Sequence, residues 1–223
     1  MTHVYVTALE PIGNELFTLL LESIDSKARE RILRLKRRED QVSSLVGHAL
    51  AKMMLAKQLK VSVTELEFTR NPFGKYELAG FPLYFNISHA GQYTVCAIAR
   101  SMIGVDIEKK EDRDYRLFKS VWSKEEKKQY SLEDRQSFYW LWTAKESYIK
   151  YLGLGFQANL ETITVQKDGR VVENGLWSKA VIRHVDVHPQ YTCAVCCEEK
   201  MDEMIYIGLD EIECFYKRKD LNE

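Results

Sequence analysis

Apolar and polar positions alternate at the start of the chain, Met1-Thr-His-Val-Tyr-Val-Thr-Ala-Leu9, and predict a first strand. A helical spacing at Val42, Val46, Ala49, Leu50 and Met53 follows, then an extended run over 63–68, a hairpin turn at Gly74-Lys75 and a strand Gln92-Tyr-Thr-Val-Cys-Ala-Ile98. The same order then returns. A helical pattern over 138–152 leads to an extended run over 160–165, a turn at Gly169-Arg170 and a strand Gln190-Tyr-Thr-Cys-Ala-Val-Cys196. Equal order and similar offsets predict a tandem duplication of one α+β unit of roughly 100 residues. The expected fold class is therefore α+β, with two similar α+β halves packed on each other, residues 1–101 and 102–223, and a ligand cleft between them.

Composition narrows the function classes. The 223 residues are 45% hydrophobic, enough for a sizeable core, and 32 basic against 33 acidic residues leave a net charge of −1. That balance excludes a generally basic nucleic-acid coat and an acidic tail, so any charge function is local. No apolar stretch approaches a membrane span, and the alternating N-terminus lacks the layout of a signal peptide, so the expected location is the cytoplasm, with no membrane or nucleic-acid partner. Five cysteines form no complete disulfide framework. Tyr191, Cys193, Val195 and Cys197 alternate on one strand face and read as small core residues, although Cys193 and Cys196 have C-x-x-C spacing without the second pair or nearby His of a zinc site.

Candidate chemistry is concentrated in acids. In Ile103-Gly-Val-Asp-Ile-Glu108, Val105 and Ile107 point to one face of a strand while Asp106 and Glu108 share the other. At the strand rise their Cα atoms lie ~6.6 Å apart, within joint reach of a hard divalent cation, while a solvated edge strand would carry the same pair. In Phe138-Tyr-Trp-Leu-Trp-Thr-Ala-Lys-Glu-Ser-Tyr-Ile-Lys150, the residues Phe138, Leu141, Trp142, Ile149 and Leu152 form an apolar stripe. Glu146 and Lys150, four apart, project together beside Tyr139 and Thr143, either as a surface ion pair or as a third metal ligand with a phosphate clamp. Lys145 is expected to lay its stem over the core and reach water. Gly153-Leu-Gly155 reads as the cap and turn ending this helix, and His3, His48, His184 and His188 are given no role.

The pairing of Gly104-Val-Asp-Ile-Glu108 with Trp142-Thr-Ala-Lys-Glu-Ser-Tyr-Ile-Lys150 resembles the signature of the 4′-phosphopantetheinyl transferases. Phe85-Asn-Ile-Ser-His89 and the Gly74-Lys75 turn resemble further motifs of the Sfp-type branch, single-chain pseudo-dimers, and the likeness runs from about Asp25 to Tyr191. The resemblance implies transfer of 4′-phosphopantetheine from coenzyme A to a serine of an apo carrier protein, with release of adenosine 3′,5′-bisphosphate. It implies Asp106, Glu108 and Glu146 as magnesium ligands and Lys150 as the lysine on the pyrophosphate. His89, Ser88 and Lys75 match groups around the 3′-phosphate, Ser44 a small hydroxyl position near it, and Arg31 a basic position at the nucleotide end. Glu126 matches a glutamate that serves as base for the serine or orients a metal-bound water, and Ser123-Lys-Glu-Glu126 is equally an ordinary capping box.

Ala28 stands where the family carries a lysine, within Lys27-Ala-Arg-Glu-Arg-Ile-Leu-Arg-Leu-Lys-Arg-Arg38, a run of seven basic residues and one acidic residue. That run suits a solvated helix face, a nucleic-acid patch or an acidic partner, and the resemblance favours the nucleotide end of coenzyme A. The implied partners are acyl or peptidyl carrier domains of nonribosomal peptide, polyketide or fatty-acid synthases, docking near residues 113–118 and the helix beyond Glu126 on a monomeric enzyme. The same acids would also serve a metal-dependent phosphohydrolase or nucleotidyltransferase, or a non-catalytic coenzyme A or carrier-binding module.

Overall fold

The computed structural model describes residues 1–112, 121–131 and 134–218. In chain order the elements are β1 (Thr2–Ala8), α1 (Asn14–Glu22), α2 (Ser26–Leu33), α3 (Arg38–Leu59), β2 (Phe68–Arg70), β3 (Tyr76–Leu78), β4 (Tyr84–Ala90), β5 (Tyr93–Ala99) and β6 (Ile103–Lys109). They continue with α4 (Glu126–Gln129), α5 (Arg135–Leu152), β7 (Ile163–Val165), β8 (Arg170–Glu173), β9 (Leu176–Val185), β10 (Tyr191–Cys197), β11 (Met201–Tyr206) and α6 (Leu209–Lys217).

The two halves are built alike. β1 pairs antiparallel with β5 and β5 with β4; β6 pairs antiparallel with β10 and β10 with β9. Each half places one long helix, α3 or α5, against its own sheet. Period-two alternation then divides the side chains. Tyr5, Cys96 and Ile98 go into the core under α3, while Val4, Val6, Val95 and Ala97 go to the opposite side. There they meet Val105, Ile107, Cys193, Val195 and Cys197 of the second sheet, so the sheets pack face to face around a shared apolar layer. Burial on both faces explains why these strands read as near-continuous apolar runs. The cysteines of β10 are free and buried, as core residues.

Several local expectations shift. The extended run at 63–68 contains a 3₁₀ turn, Val63–Glu65, closed by a reciprocal Ser62–Glu65 capping box, before the short β2. The run at 160–165 likewise opens with a 3₁₀ turn, Leu160–Thr162, capped by Asn159. The first sheet also gains β11, which runs parallel to β1, so its full order is β11-β1-β5-β4. The second half therefore completes the sheet of the first. No helix among the described residues is long and apolar enough to cross a membrane.

α5 begins at Asp134, whose side chain accepts from the Ser137 amide at 2.7 Å, and ends at Gly153 with φ 71°. It lies on β6 so closely that a Cβ on Gly104 would come within 2.0 Å of the Ser147 carbonyl oxygen. Only glycine permits this approach, which brings the helix of Glu146 onto the strand of Asp106.

Candidate active site

β6 and α5 bring the predicted acids to one place. Asp106, Glu108, Glu146 and Lys150 line a cavity of about 490 Å³, together with Ser88, His89 and Trp142. Asp106 is buried, and its Oδ1 accepts from Lys150 Nζ at 2.6 Å and from Ser88 Oγ at 3.1 Å. Its Oδ2 is buried without a hydrogen-bond partner. Glu108 accepts from the Trp142 indole N–H at 3.1 Å. Burial pushes the Asp106 carboxyl up, against the pull of the Lys150 ammonium. Burial and the neighbouring charge of Asp106 push Glu146 up to about 7, with Glu108 adding to the rise and Lys150 opposing it.

This arrangement fits a hard cation. All three carboxylates face one cavity, their repulsion is already felt at Glu146, and the buried Asp106 Oδ2 lacks a partner. Among the described residues, no three such side chains stand close enough to form a ready cage, and Lys150 lies on Asp106 Oδ1. Trp142, Glu146 and Lys150 succeed one another at four-residue spacing and share the cavity wall. Trp142 packs on the core and stacks on Phe138 as the apolar stripe predicts, and its N–H also faces the site. Its spacing to Glu146 was the available signal that it belongs to the site.

A second cavity, about 520 Å³, adjoins the first through His89, Glu146 and Lys150, and is flanked by Arg31, Ser44 and Tyr76. Ser44 Oγ and His89 Nε2 are 3.4 Å apart. Burial and the Lys150 charge lower the His89 pKa, which favours the neutral ring at pH 7. Arg31 donates to the Tyr76 hydroxyl at 2.7 Å. Within the basic run, Ala28 is buried in the core of α2, and Arg29 donates to the carbonyl oxygens of Leu21 and Glu22 at the end of α1. Arg31 is the basic residue of the run that lines the cavity, beside Ile32 and Leu35. His48, given no role from the sequence, also lines it, buried between Phe68 and Tyr76 with Nδ1 on the Ser44 carbonyl.

Lys145 differs from its sequence expectation, and Ser88, Lys75 and Glu126 make protein contacts that their sequence assignments do not include. Ser88, expected at a phosphate, bonds Asp106 and accepts from the Ile107 amide at 3.3 Å; with Asn86, which accepts from the Val105 amide, it stitches β4 to β6. Lys75, expected there too, lines the second cavity and donates to the carbonyl oxygens of Ile103 and Tyr151. Lys145 does not reach water. It is fully buried, 2.7 Å from Glu126, and donates to the carbonyl oxygens of Val121 and Leu160. Glu126 is equally buried, accepts from the amides of Ser123 and Val165, and lines neither cavity. The contacts of Glu126 match the capping-box reading, with the Lys145 pair added to it. Residues 113–118 lie outside the described residues.

Comparison with known proteins agrees with this geometry. The 4′-phosphopantetheinyl transferase superfamily matches residues 102–196, and the N-terminal 4′-phosphopantetheinyl transferase family matches residues 9–101. The 4′-phosphopantetheinyl transferase Sfp of Bacillus subtilis (strain 168) is 30% identical over 195 residues, 83% of this chain and 87% of that protein. The 4′-phosphopantetheinyl transferase gsp of Aneurinibacillus migulanus is 26% identical over 204 residues, 86% and 84% of the two chains. The rat L-aminoadipate-semialdehyde dehydrogenase-phosphopantetheinyl transferase is 28% identical over 174 residues, 65% of this chain and 53% of that one. Both halves are thus matched, and the acids that carry the sequence signature line one cavity: the chain belongs to the 4′-phosphopantetheinyl transferases of the Sfp type, enzymes that transfer phosphopantetheine to carrier proteins.

Proposed function

We propose that the protein uses coenzyme A and Mg²⁺ to load a serine of an apo acyl or peptidyl carrier domain, in the cleft between halves 1–101 and 102–223. The observation that carries this reading is the convergence of Asp106, Glu108, Glu146 and Lys150 on one cavity that opens into a second, flanked by Arg31, Ser44 and His89. The serine oxygen bonds to the phosphorus that bears the pantetheine arm. The pyrophosphate P–O bond breaks, and adenosine 3′,5′-bisphosphate leaves with the electron pair while the hydroxyl proton passes to water.

Asp106, Glu108 and Glu146 would hold Mg²⁺, which supplies charge stabilisation at the pyrophosphate oxygens. Lys150 is poised between Asp106 and the second cavity, where its ammonium serves a phosphate oxygen. Arg31, Ser44 and His89 supply a cation, a hydroxyl and a ring N–H for the nucleotide end. Trp142 fixes Glu108, and Ser88 fixes Asp106. Glu126 acts beneath the site, tying Ser123, Val165 and Lys145 of the helix that carries Glu146. The enzyme works as a cytoplasmic monomer on carriers of peptide, polyketide or fatty-acid assembly, without nucleic acid or membrane.

Incubation with coenzyme A, Mg²⁺ and a panel of apo carrier domains, read by intact mass, tests the proposal. A carrier that gains the phosphopantetheine mass only in the presence of Mg²⁺ is the expected result. Coenzyme A cleaved with every carrier unmodified would point to a phosphohydrolase, and coenzyme A bound without turnover to a binding module. Glu108→Ala and Glu146→Ala should each lower turnover at least 100-fold with the fold retained by circular dichroism.

A further inference from the structure

Three elements that meet at the site are joined by one ammonium group that belongs to none of the acids' own elements. Lys75, in the turn between β2 and β3, donates to the Ile103 carbonyl at 2.9 Å and to the Tyr151 carbonyl at 3.0 Å. Ile103 opens β6, three residues before Asp106; Tyr151 follows Lys150 on α5. The last carbonyls of a helix have no partner within it, and a cation there also meets the negative end of the helix dipole. The same turn reaches the helix end again through Asn71, whose Nδ2 donates to the Gly153 carbonyl at 2.9 Å. Asn71 Oδ1 accepts from the amides of Phe73 and Lys75, which fixes the turn itself. Packing agrees, since a Cβ on Gly153 would fall 2.9 Å from Asn71 Nδ2 and 3.2 Å from Lys75 Cδ.

We infer that Lys75 is a positioning residue: from the first half it clamps the start of β6 to the end of α5, and so sets Asp106 against Glu146 and Lys150. Lys75 also lines the second cavity, but two of its three N–H donors are committed to backbone oxygen, which makes alignment its main contribution. Burial lowers its pKa to about 8, consistent with a half-buried ammonium whose partners are neutral carbonyls. The inference rests on the proposed transfer reaction for its kinetic readout only.

The test compares wild type, Lys75→Met and Lys75→Arg with coenzyme A and with 3′-dephospho-coenzyme A as donors, alongside hydrogen exchange of the backbone amides. Lys75→Met should lower kcat at least tenfold with both donors and leave the ratio of the two KM values within twofold of wild type. Exchange at the last turn of α5 and the start of β6 should speed at least tenfold. Lys75→Arg, which keeps two forked donors, should recover most of kcat and of the protection. A KM ratio that collapses towards one in Lys75→Met, with exchange unchanged, would assign the lysine to the 3′-phosphate and overturn the inference; so would an unchanged kcat. Should Lys75→Met not fold, Asn71→Ala serves: it must speed exchange at the same helix end and lower kcat about threefold with the KM ratio kept, and unchanged exchange overturns the clamp. Wild-type protein inactive with both donors would instead count against the transfer reaction, with the exchange data still deciding the clamp.

Discussion

The two oxygens of Asp106 have different fates: Oδ1 holds Lys150 and Ser88, while Oδ2 is buried with no partner. Such an atom is costly in a stable interior and is retained where a ligand satisfies it. Glu146 shows the same conflict in its titration. Its folded pKa, about 7, lies above its ordinary 4.5, so the folded state holds its proton more tightly than the unfolded state. Its contribution to stability is full below pH 4.5 and is lost as pH rises through 7. In chelator-treated protein, urea denaturation should therefore show falling stability across this window. Glu146→Gln should remove much of that slope and, at pH 8, leave the protein more stable than wild type by on the order of 1–2 kcal/mol, allowing for partial solvent contact. A variant with the wild-type slope would remove Glu146 from the charged cluster. The buried Lys145–Glu126 pair gives the opposite sign. Lys145→Met leaves Glu126 buried with its charge uncompensated and should cost about 3–5 kcal/mol, whereas Lys145→Met combined with Glu126→Gln should cost less; the difference is read from urea midpoints.

At the scale of elements, the site depends on how closely α5 rests on β6. Gly104 sets that distance, since any Cβ there meets the backbone of Ser147 and Tyr151 rather than a movable side chain. Gly104→Ala should cost at least about 2 kcal/mol in urea denaturation and lower turnover more than a remote variant of equal stability, because the helix must lift away from Asp106. The acids were legible at this scale. Asp106 and Glu108 share a strand face by period two, and Glu146 and Lys150 share a helix face by spacing of four, both properties of the local backbone. The contacts of Ser88 and Lys75 and the pairing of Glu126 with Lys145 were not legible in the same way. Sequence motifs mark a residue's place beside a site, but a hydroxyl, an ammonium or a carboxylate bonds whichever group the fold brings nearest. Here those groups are Asp106, two carbonyls and a buried lysine. Trp142 keeps its place in the apolar stripe, stacked on Phe138 against the core, and its N–H reaches Glu108 as well, a contact that the stripe alone did not reveal.

At the scale of the whole molecule, the two sheets share the apolar layer of Val4, Val6, Val95, Ala97, Val105, Ile107, Cys193 and Val195. Neither half can bury this face alone. β11 adds a second tie, as it covers the edge of β1 from the far end of the chain. Residues 1–101 expressed alone should therefore be aggregated or loosely packed, with dispersed amide resonances absent from the NMR spectrum, although they match a family segment of their own. Truncation after residue 200 should likewise produce aggregates in size-exclusion chromatography through the bared β1 edge. A well-dispersed, monomeric fragment in either case would show the halves to be independent.

The sequence by itself determined the repeated order of elements, the cores under α3 and α5, and which acids share a face, because these follow from periodicities of 3.6 and 2 in a single stretch of chain. Only the tertiary structure decided that β11 closes the first sheet, that Lys75 spans two elements of the other half, and that Glu126 is sealed against Lys145. Each of those is a contact between segments distant in sequence, made by a polar group whose partner depends on which segment arrives beside it, and no local pattern encodes that arrival.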